Sequence, residues 1–452
     1  MKKFVAGMLA FCMMAGLVTA CSKGGETKDG KTVINLWAFT DEVPKMVERY
    51  IELHPEFGEK YEVQTTIIAT TDGAYQPALD TALVNGGDDA PDMYCAEAAF
   101  VLKYTQGDMA QYAAPYADLG IDIDADIAEA GIAQYSVDIG TNPNGKVVGL
   151  GYQATGGAYI YRRSLAIEAF GTDDPAAIAD IIGSGSQNWD KFFEAAATLA
   201  ENNIAIVSGD GDIWHAVENS SDEGWIVNGA LNVDAKREAF LDLSMSLTEN
   251  GYSNQTQDWQ DGWFADMKGV GEKPCFGFFG PAWLINYTLA PNCGGEAVGE
   301  GTYGDWAICP PPVGFFWGGT WLLANTNSSD AKKAGVAELI HWITLDCTTD
   351  GLQYMWANGT LNGEGGTKDA VASATVMAMS NGELDFLGGQ NMFDVFVPAN
   401  DYANGSNLTQ YDETINQIWR DQVRQYTAGE KDRATALADF RTQVGNSLDI
   451  EV

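Results

Sequence analysis

The sequence predicts an α/β protein made of two large domains, or of one deeply clefted pair, and three observations predict it. From Val33 onward, short apolar strands alternate with amphipathic helices, the pattern of a mostly parallel sheet covered on both faces. The chain has 452 residues, 46% of them hydrophobic, which is enough to bury two cores. Two glycine-rich, aromatic-flanked stretches, Gly149–Gly157 and Val313–Gly319, interrupt otherwise regular sequence and are candidate crossings between the domains.

The elements follow in order. Lys2 and Lys3 precede an apolar run from Phe4 to Leu17, closed by Val18-Thr19-Ala20-Cys21. That run is shorter than the ~20 apolar residues a membrane span needs, so it reads as a secretory signal over residues 1–20 ending in a lipobox. Lipidation of Cys21 would then hold the domain at the membrane surface, on the extracytoplasmic side, without insertion. Residues 21–31 are the lipidated cysteine and a polar tether, SKGGETKDGK. Val33 to Phe39 is the first strand. Thr40-Asp41-Glu42 then starts a helix with a capping side chain and first-turn acids, and Val43, Met46, Val47, Tyr50, Ile51 and His54 share its inner face. Tyr61 to Ile68 is a strand, Gln76 to Val84 a helix and Asp92 to Cys95 a third strand. Later helical stripes are Val336, Leu339, Ile340 and Ile343 after a Ser328-Ser329-Asp330 cap, then Tyr411, Ile415, Ile418, Trp419 and Tyr426, and finally Ala434, Leu437, Phe440, Val444 and Leu448.

Composition removes several function classes. There are 63 acidic against 25 basic residues, a net charge of −38, which argues against nucleic acid and against a basic membrane-docking face while favouring neutral or cationic ligands. His54, His215 and His341 are widely separated, and the cysteines match no zinc pattern, so a metal centre is not expected. After Cys12 and Cys21, five cysteines remain; one pair among Cys275, Cys293 and Cys309 is close enough in sequence to bridge, and buried free thiols fit equally well. Gly299-Glu300-Gly301-Thr302-Tyr303-Gly304 fits a dinucleotide fingerprint but runs into Asp305–Ile308 and three prolines, not into a helix that could hold a pyrophosphate. Asp122-Ile123-Asp124-Ala125-Asp126 opens like a calcium loop, but Ile127 stands at the turn glycine and Ala133 at the bidentate glutamate. No nucleotide cofactor is expected.

Aromatic residues are what stand out: 13 Trp, 18 Tyr and 19 Phe, with dense runs at Phe276–Trp283 and Phe315–Trp321. Sugar rings have apolar C–H faces and polar edges, so a site for them pairs flat aromatic platforms with acids and amides. Most of the tryptophans are expected in the cores, Trp342 and Trp419 among them, because they lie on amphipathic stripes. Trp283 and Trp317 sit at loop-like turns and are the binding candidates. Trp189, Trp259 and Trp263 stay open between the two roles.

The lipobox, LWAFTDE (Leu36–Glu42), APDMYCAEAAFV (Ala90–Val101), GLGYQATGGAYIYRRS (Gly149–Ser164), FFGPAW (Phe278–Trp283) and the Trp317-Gly318-Gly319 turn occur in that order. Together they resemble the carbohydrate-type extracellular solute-binding proteins of ABC importers, the group that includes maltose-binding protein. The resemblance spans nearly the whole mature chain. It implies two α/β lobes joined by a multi-strand hinge, an oligosaccharide held between them, delivery to ABC permease subunits, a monomer, no cofactor and no catalysis. Lobe 1 would comprise residues 32–152 and about 318–372, and lobe 2 residues 153–317 and about 373–452. Position by position, it places Phe39, Asp41, Glu42 and Glu97 on the cleft from lobe 1, Gln153 in the first crossing, and Trp317 before the second. Trp283 takes the place of the stacking tryptophan on lobe 2, with Asp212 and Trp214 as a further platform there. Ala96 departs from the larger residue usual at its position. Resemblance also favours α-glucan ligands such as maltooligosaccharides. The rival class is a secreted glycoside hydrolase, which needs two carboxyls ~5–10 Å apart across the scissile bond.

Overall fold

The computed structural model describes residues 30–70, 73–363, 365–448 and 450–452. The signal segment, Cys21 and most of the tether lie outside the described residues. The strands are β1 Thr32–Ala38, β2 Tyr61–Ile67, β3 Met93–Glu97, β4 Gly149–Gly151, β5 Ala158–Arg162, β6 Ala205–Val207, β7 Ile226–Val227, β8 Ala230–Leu231, β9 Cys275–Gly280, β10 Trp306–Cys309 and β11 Thr320–Ala324. They form a five-stranded sheet of order β2-β1-β3-β11-β4, a four-stranded sheet of order β10-β5-β9-β6, and the small β7-β8 ribbon.

Each large sheet is the centre of one lobe, and alternate residues of its strands feed opposite core layers. In the first lobe, Met93 and Cys95 join Ile34, Leu36 and Leu322 on one side, while Tyr94 and Ala96 join Leu79, Trp321 and Leu323 on the other. In the second, Tyr159 and Tyr161 pack with Phe192, Phe276 and Phe279, and Ala158 and Ile160 pack with Phe278, Trp306 and Ile308. The helices at Glu42–Leu53, Asp330–Thr344 and Asp412–Thr427 bury residues of the stripes their periodicity predicts, and Tyr75–Asn85 forms the expected helix; in Arg433–Ser447, Phe440 and Val444 are buried as expected, but Ala434 is exposed and Ala436, four residues before Phe440, takes the inner position.

Three local expectations are corrected. The sheets are mixed rather than mostly parallel: β1 runs parallel to β2 and β3, but β11 is antiparallel to both β3 and β4, and β5 is antiparallel to β9 and β10. The cause is the chain path. β4 leads out of the first lobe and β11 leads back into it, so the two must run in opposite directions. β3 begins at Met93 rather than Asp92, one residue later than expected; the Asp92 backbone still bonds Asn35 and Asn325, and its carboxylate takes Asn35 N–H at 2.9 Å, Ser328 Oγ at 2.6 Å and Lys332 Nζ at 2.9 Å. Asp41 likewise makes no capping bond; its carboxylate pairs with Lys45 at 2.6 Å. Cys95, Cys275, Cys293, Cys309 and Cys347 are all free thiols.

Three segments join the lobes. The first runs through Tyr152–Gly157 and the second through Phe315–Thr320. They are tied to each other where Gly157 N–H donates to Phe315 O at 2.9 Å and Trp317 N–H to Thr155 O at 3.1 Å. A side chain at Gly157 would meet the Phe315 ring at 2.0 Å, so only glycine allows the two strands this close. The third segment is 369–373, bonded to the first by Ala154 N–H to Ala370 O at 3.0 Å and Ala372 N–H to Tyr152 O at 2.9 Å. Tyr152 and Ala372 belong to a core layer of the first lobe, Ala154 and Ala370 to one of the second. The fold is therefore two α/β lobes on a three-segment hinge, with a cleft between them.

The interlobe cleft as candidate functional site

The carboxyl ends of β1 and β3 and the start of β11 all face the other lobe, where α/β sheets place their ligands. In the register of the first sheet, Thr320 lies opposite Glu97. The turn after β1 adds Phe39, Asp41 and Glu42. From the second lobe, β9 ends at Gly280, beside Ala158 at the hinge. Pro281 stops the strand, and a short helical turn carries Trp283 to the cleft. A π-turn at Ile285–Leu289 follows and presents Asn286 and Tyr287, the latter 68% exposed. The resulting cavity of about 460 Å³ is lined from both lobes and from the hinge, which contributes Gln153, Gly318, Gly319 and Asp369.

Three tryptophans converge at the hinge side of this cavity. Trp283 and Trp259 stand nearly parallel, at 9° with centroids 6.2 Å apart, and Trp317 meets Trp283 edge-on at 4.9 Å and Trp259 at 6.0 Å. The Trp283 indole N–H donates to the Trp317 carbonyl at 2.9 Å, which fixes the ring orientation. On its far side Trp317 stacks on His215 at 4.5 Å and 22°. His215 in turn reaches Glu218 at 3.4 Å. A smaller chamber of about 120 Å³ opens there, lined by His215, Glu218, Asp412 and Glu413 and sharing Glu97, Trp317 and Gly318 with the tryptophan cluster.

The polar lining is acidic. Glu97 accepts the Ala99 N–H at 2.7 Å, and burial pushes its carboxyl up to about 7. Asp369 accepts Gln153 Nε2 at 3.1 Å, Trp356 Nε1 at 3.4 Å and its neighbour's Ala370 N–H at 2.8 Å; burial, with the nearby Glu42 charge adding to it, raises it to about 7 as well. Glu42 accepts the Tyr152 hydroxyl and is also raised by burial.

Of the nine residues expected from the sequence, Phe39, Asp41, Glu42, Glu97, Gln153 and Trp283 line the larger cavity together. Trp317 is beside it, between the two chambers. Asp212 and Trp214 are not on the cleft. Trp214 is 1% exposed and packs on Phe240 at 4.8 Å in the second lobe's core. Asp212 is 5% exposed, and its oxygens take the Ser208 and Gly209 N–H groups and the Trp263 indole at 2.9 to 3.0 Å, so it organises a helix start. Trp263 is core through that bond, and Trp189 packs against Phe192 and Phe279. Trp259, 43% exposed, is the open case that goes to the cleft. Trp356, Tyr287 and Asp369 also line it and were not singled out. Tyr287 lies one turn beyond FFGPAW and was the easiest to find; Trp356 reads as a helical core residue, and Asp369 carries no local signal.

Comparison with known proteins agrees with this geometry. Residues 52–381 match the family described as bacterial extracellular solute-binding protein, and the chain belongs to that family. No curated protein matches the sequence. Among solved structures, an extracellular solute-binding protein of family 1 superposes with a TM-score of 0.72 at 19% identity, covering 92% of this chain and 99% of its own. The galacto-N-biose/lacto-N-biose I-binding protein of an ABC transporter from Bifidobacterium longum, in complex with lacto-N-biose, gives 0.66 at 17% identity over 94% and 99%. The cyclic α-maltosyl-1,6-maltose binding protein from Arthrobacter globiformis gives 0.61 at 16% identity over 91% and 97%. The family expected from the ordered motifs is the family matched, and the fold is that of these receptors.

Proposed function

We propose that this chain is the ligand receptor of an ABC importer, anchored through lipid on Cys21, and that it captures an oligosaccharide in the interlobe cleft for delivery to the permease. The observation that carries this reading is the convergence of Trp259, Trp283 and Trp317 with cleft carboxylates at the junction of two lobes. Flat rings cover the apolar faces of sugars, and the carboxylates and the Gln153 amide serve their hydroxyls. Ligand contacts on both lobes favour the closed arrangement by their differential affinity, so binding and hinge motion are one event. The α-glucan type favoured by resemblance is supported by the Arthrobacter neighbour, whose name specifies a maltose-based ligand. The protein acts as a monomer and does no chemistry on what it binds. A thermal-shift screen of maltooligosaccharides, mannooligosaccharides and xylooligosaccharides tests this, since a ligand of the folded state alone raises the melting temperature. Assay of the same mixtures for new reducing ends separates the receptor from a hydrolase. A shift without turnover is expected; turnover would overturn the receptor reading, and no shift with any oligosaccharide would overturn the sugar reading.

A further inference from the structure

The chain between the helices Phe393–Ala399 and Asp412–Thr427 does not stay with its own lobe. Both helices bury apolar residues in core layers of the second lobe, Phe393 and Phe396 with Phe278 and Trp306, and Ile415 and Trp419 with Phe279 and Phe440. A connection between two such helices ordinarily runs over the surface of the lobe it belongs to. Residues 400–411 instead leave along the hinge, where Gly156 N–H donates to Asn400 Oδ1 at 3.1 Å, and then lie against the first lobe. Ala403 and Leu408 pack on that lobe's layer of Phe100, Tyr135 and Ile139. Gly405 is buried there, and an ideal Cβ on it would lie 2.6 Å from Ile139 Cγ1, so the backbone seats where a side chain would press on the first lobe. Further along, Asp108 N–H donates to Gln410 Oε1 at 3.0 Å and Gln76 Nε2 to Glu413 Oε2 at 2.8 Å. The same segment is pinned to the second lobe: Asn407 Nδ2 donates to Ser221 O at 3.0 Å, and the Thr409 N–H and hydroxyl donate to Asp412 Oδ1 at 3.1 and 2.6 Å.

These ties have a direction. Leu408 and Glu413 wall the smaller chamber together with Glu97, which also lines the larger cavity, so the contacts to the first lobe lie on the cleft side of the hinge. Turning the lobes apart there carries Gln76 and Asp108 away from Glu413 and Gln410. The Thr409–Asp412 bonds hold Gln410 and Glu413 to the start of a second-lobe helix, so neither can follow. Resting on the receptor reading above for what the cleft binds, we propose that residues 400–413 are a strap that holds the lobes together before ligand arrives and so sets the fraction of molecules ready to bind. The apparent affinity of a receptor falls with the fraction of its molecules in the binding arrangement. Each hydrogen bond contributes modestly, and the apolar seat at Gly405 and Leu408 adds to them, so the strap shifts the balance several-fold and still lets the cleft open.

Two variants loosen the strap without touching either cavity. Gln76→Ala/Gln410→Ala removes both bonds to the first lobe, and Gly405→Val wedges the seat against Ile139; none of the three positions lines a chamber of the cleft. Solution scattering without ligand is expected to give each variant a larger radius of gyration than the parent. At saturation with a sugar found by the thermal-shift screen, variants and parent should fall to the same radius. Calorimetry with that sugar should show a Kd ~3-fold or more weaker in each variant, because the ligand must now draw the lobes together itself. An unliganded radius equal to the parent's in the folded variants overturns the strap, and so does a larger radius with unchanged affinity. If Gly405→Val does not fold, the double variant decides alone, since Gln76 and Gln410 are both partly exposed. If no sugar binds the parent, the sugar reading fails, and the unliganded radii still decide for or against the strap.

Discussion

Replacing Trp283 by alanine tests the cleft most directly. The ring is half-buried against Trp259 and Trp317, and its N–H is committed to the Trp317 carbonyl. If one sugar face covers about 60 Å² of indole, at ~25 cal/mol per Å² the loss is about 1.5 kcal/mol, or roughly tenfold in Kd. Losing the hydrogen bond and part of the packing costs stability too, ~1–2 kcal/mol, which moves the melting temperature by only a few degrees in a chain this long. Trp283→Phe separates the two effects. It keeps a ring for the ligand and leaves the Trp317 carbonyl without its donor, so it should recover most of the affinity and little of the stability. Calorimetry with a sugar found by the thermal-shift screen, and melting curves without ligand, measure both quantities. Unchanged affinity in a folded Trp283→Ala would refute the platform role, as would a collapse of the melting temperature, which would mark Trp283 as core.

The remaining expectations are brief. Trp259 holds a left-handed backbone at φ +66° while 43% exposed, a conformation costing ~1 kcal/mol that core burial does not offset; Trp259→Gly should bind sugar several-fold more weakly yet melt above Trp259→Ala, and equal melting of the two would remove the strain argument. Asp369 is raised from its ordinary range to about 7, so the folded state binds the extra proton and this group's contribution to stability falls as pH rises from about 4 to about 7. Asp369→Asn should therefore gain stability relative to the parent at pH 8 more than at pH 5, and a pH-independent difference would contradict that sign. Cys21→Ala should move the protein from the membrane fraction to the soluble one without altering sugar affinity, and a mutant still in the membrane pellet would reveal another anchor. Saturating ligand should reduce the radius of gyration in solution scattering as the hinge closes, whereas an identical radius would indicate a rigid, preformed cleft.

The fold was legible wherever a single segment decides its own structure. Periodicity located the helix after β1 and the two at the C terminus because each buries one face, and β1 and β3 were found because they are short, mostly apolar runs. Strand direction was not legible, since whether β11 runs with or against β3 depends on how often the chain has crossed the hinge in between. The third hinge segment carries no glycine signal of its own; only the lobe boundary at about 372/373 implied by the resemblance falls on it. Residues 369–373 hold one glycine-free stretch, DAVAS, and nothing in its composition differs from a surface loop until Tyr152 and Ala154 are seen to bond it.

The site divides along the same line, and the division locates what sets its chemistry. Phe39, Glu42, Glu97 and Trp283 came from the family resemblance, and the structure gives the physical reason they reach the cleft: each lies at or within four residues of a strand's carboxyl end. Trp214 was placed on the cleft by resemblance alone, whereas the helix Gly211–Asn219 turns its ring inward and buries it. Trp259, Trp356 and Asp369 come from three separate parts of the chain and matter only as neighbours of residues already on the cleft. They include a tryptophan at φ +66° that packs on Trp263 at 5.3 Å, and a carboxyl 3% exposed that holds the Gln153 amide and the Trp356 indole. The lining of the larger cavity is thus completed by segments far apart in the chain, so the places of Trp259 and Asp369 in it follow from the folded arrangement and from no single motif.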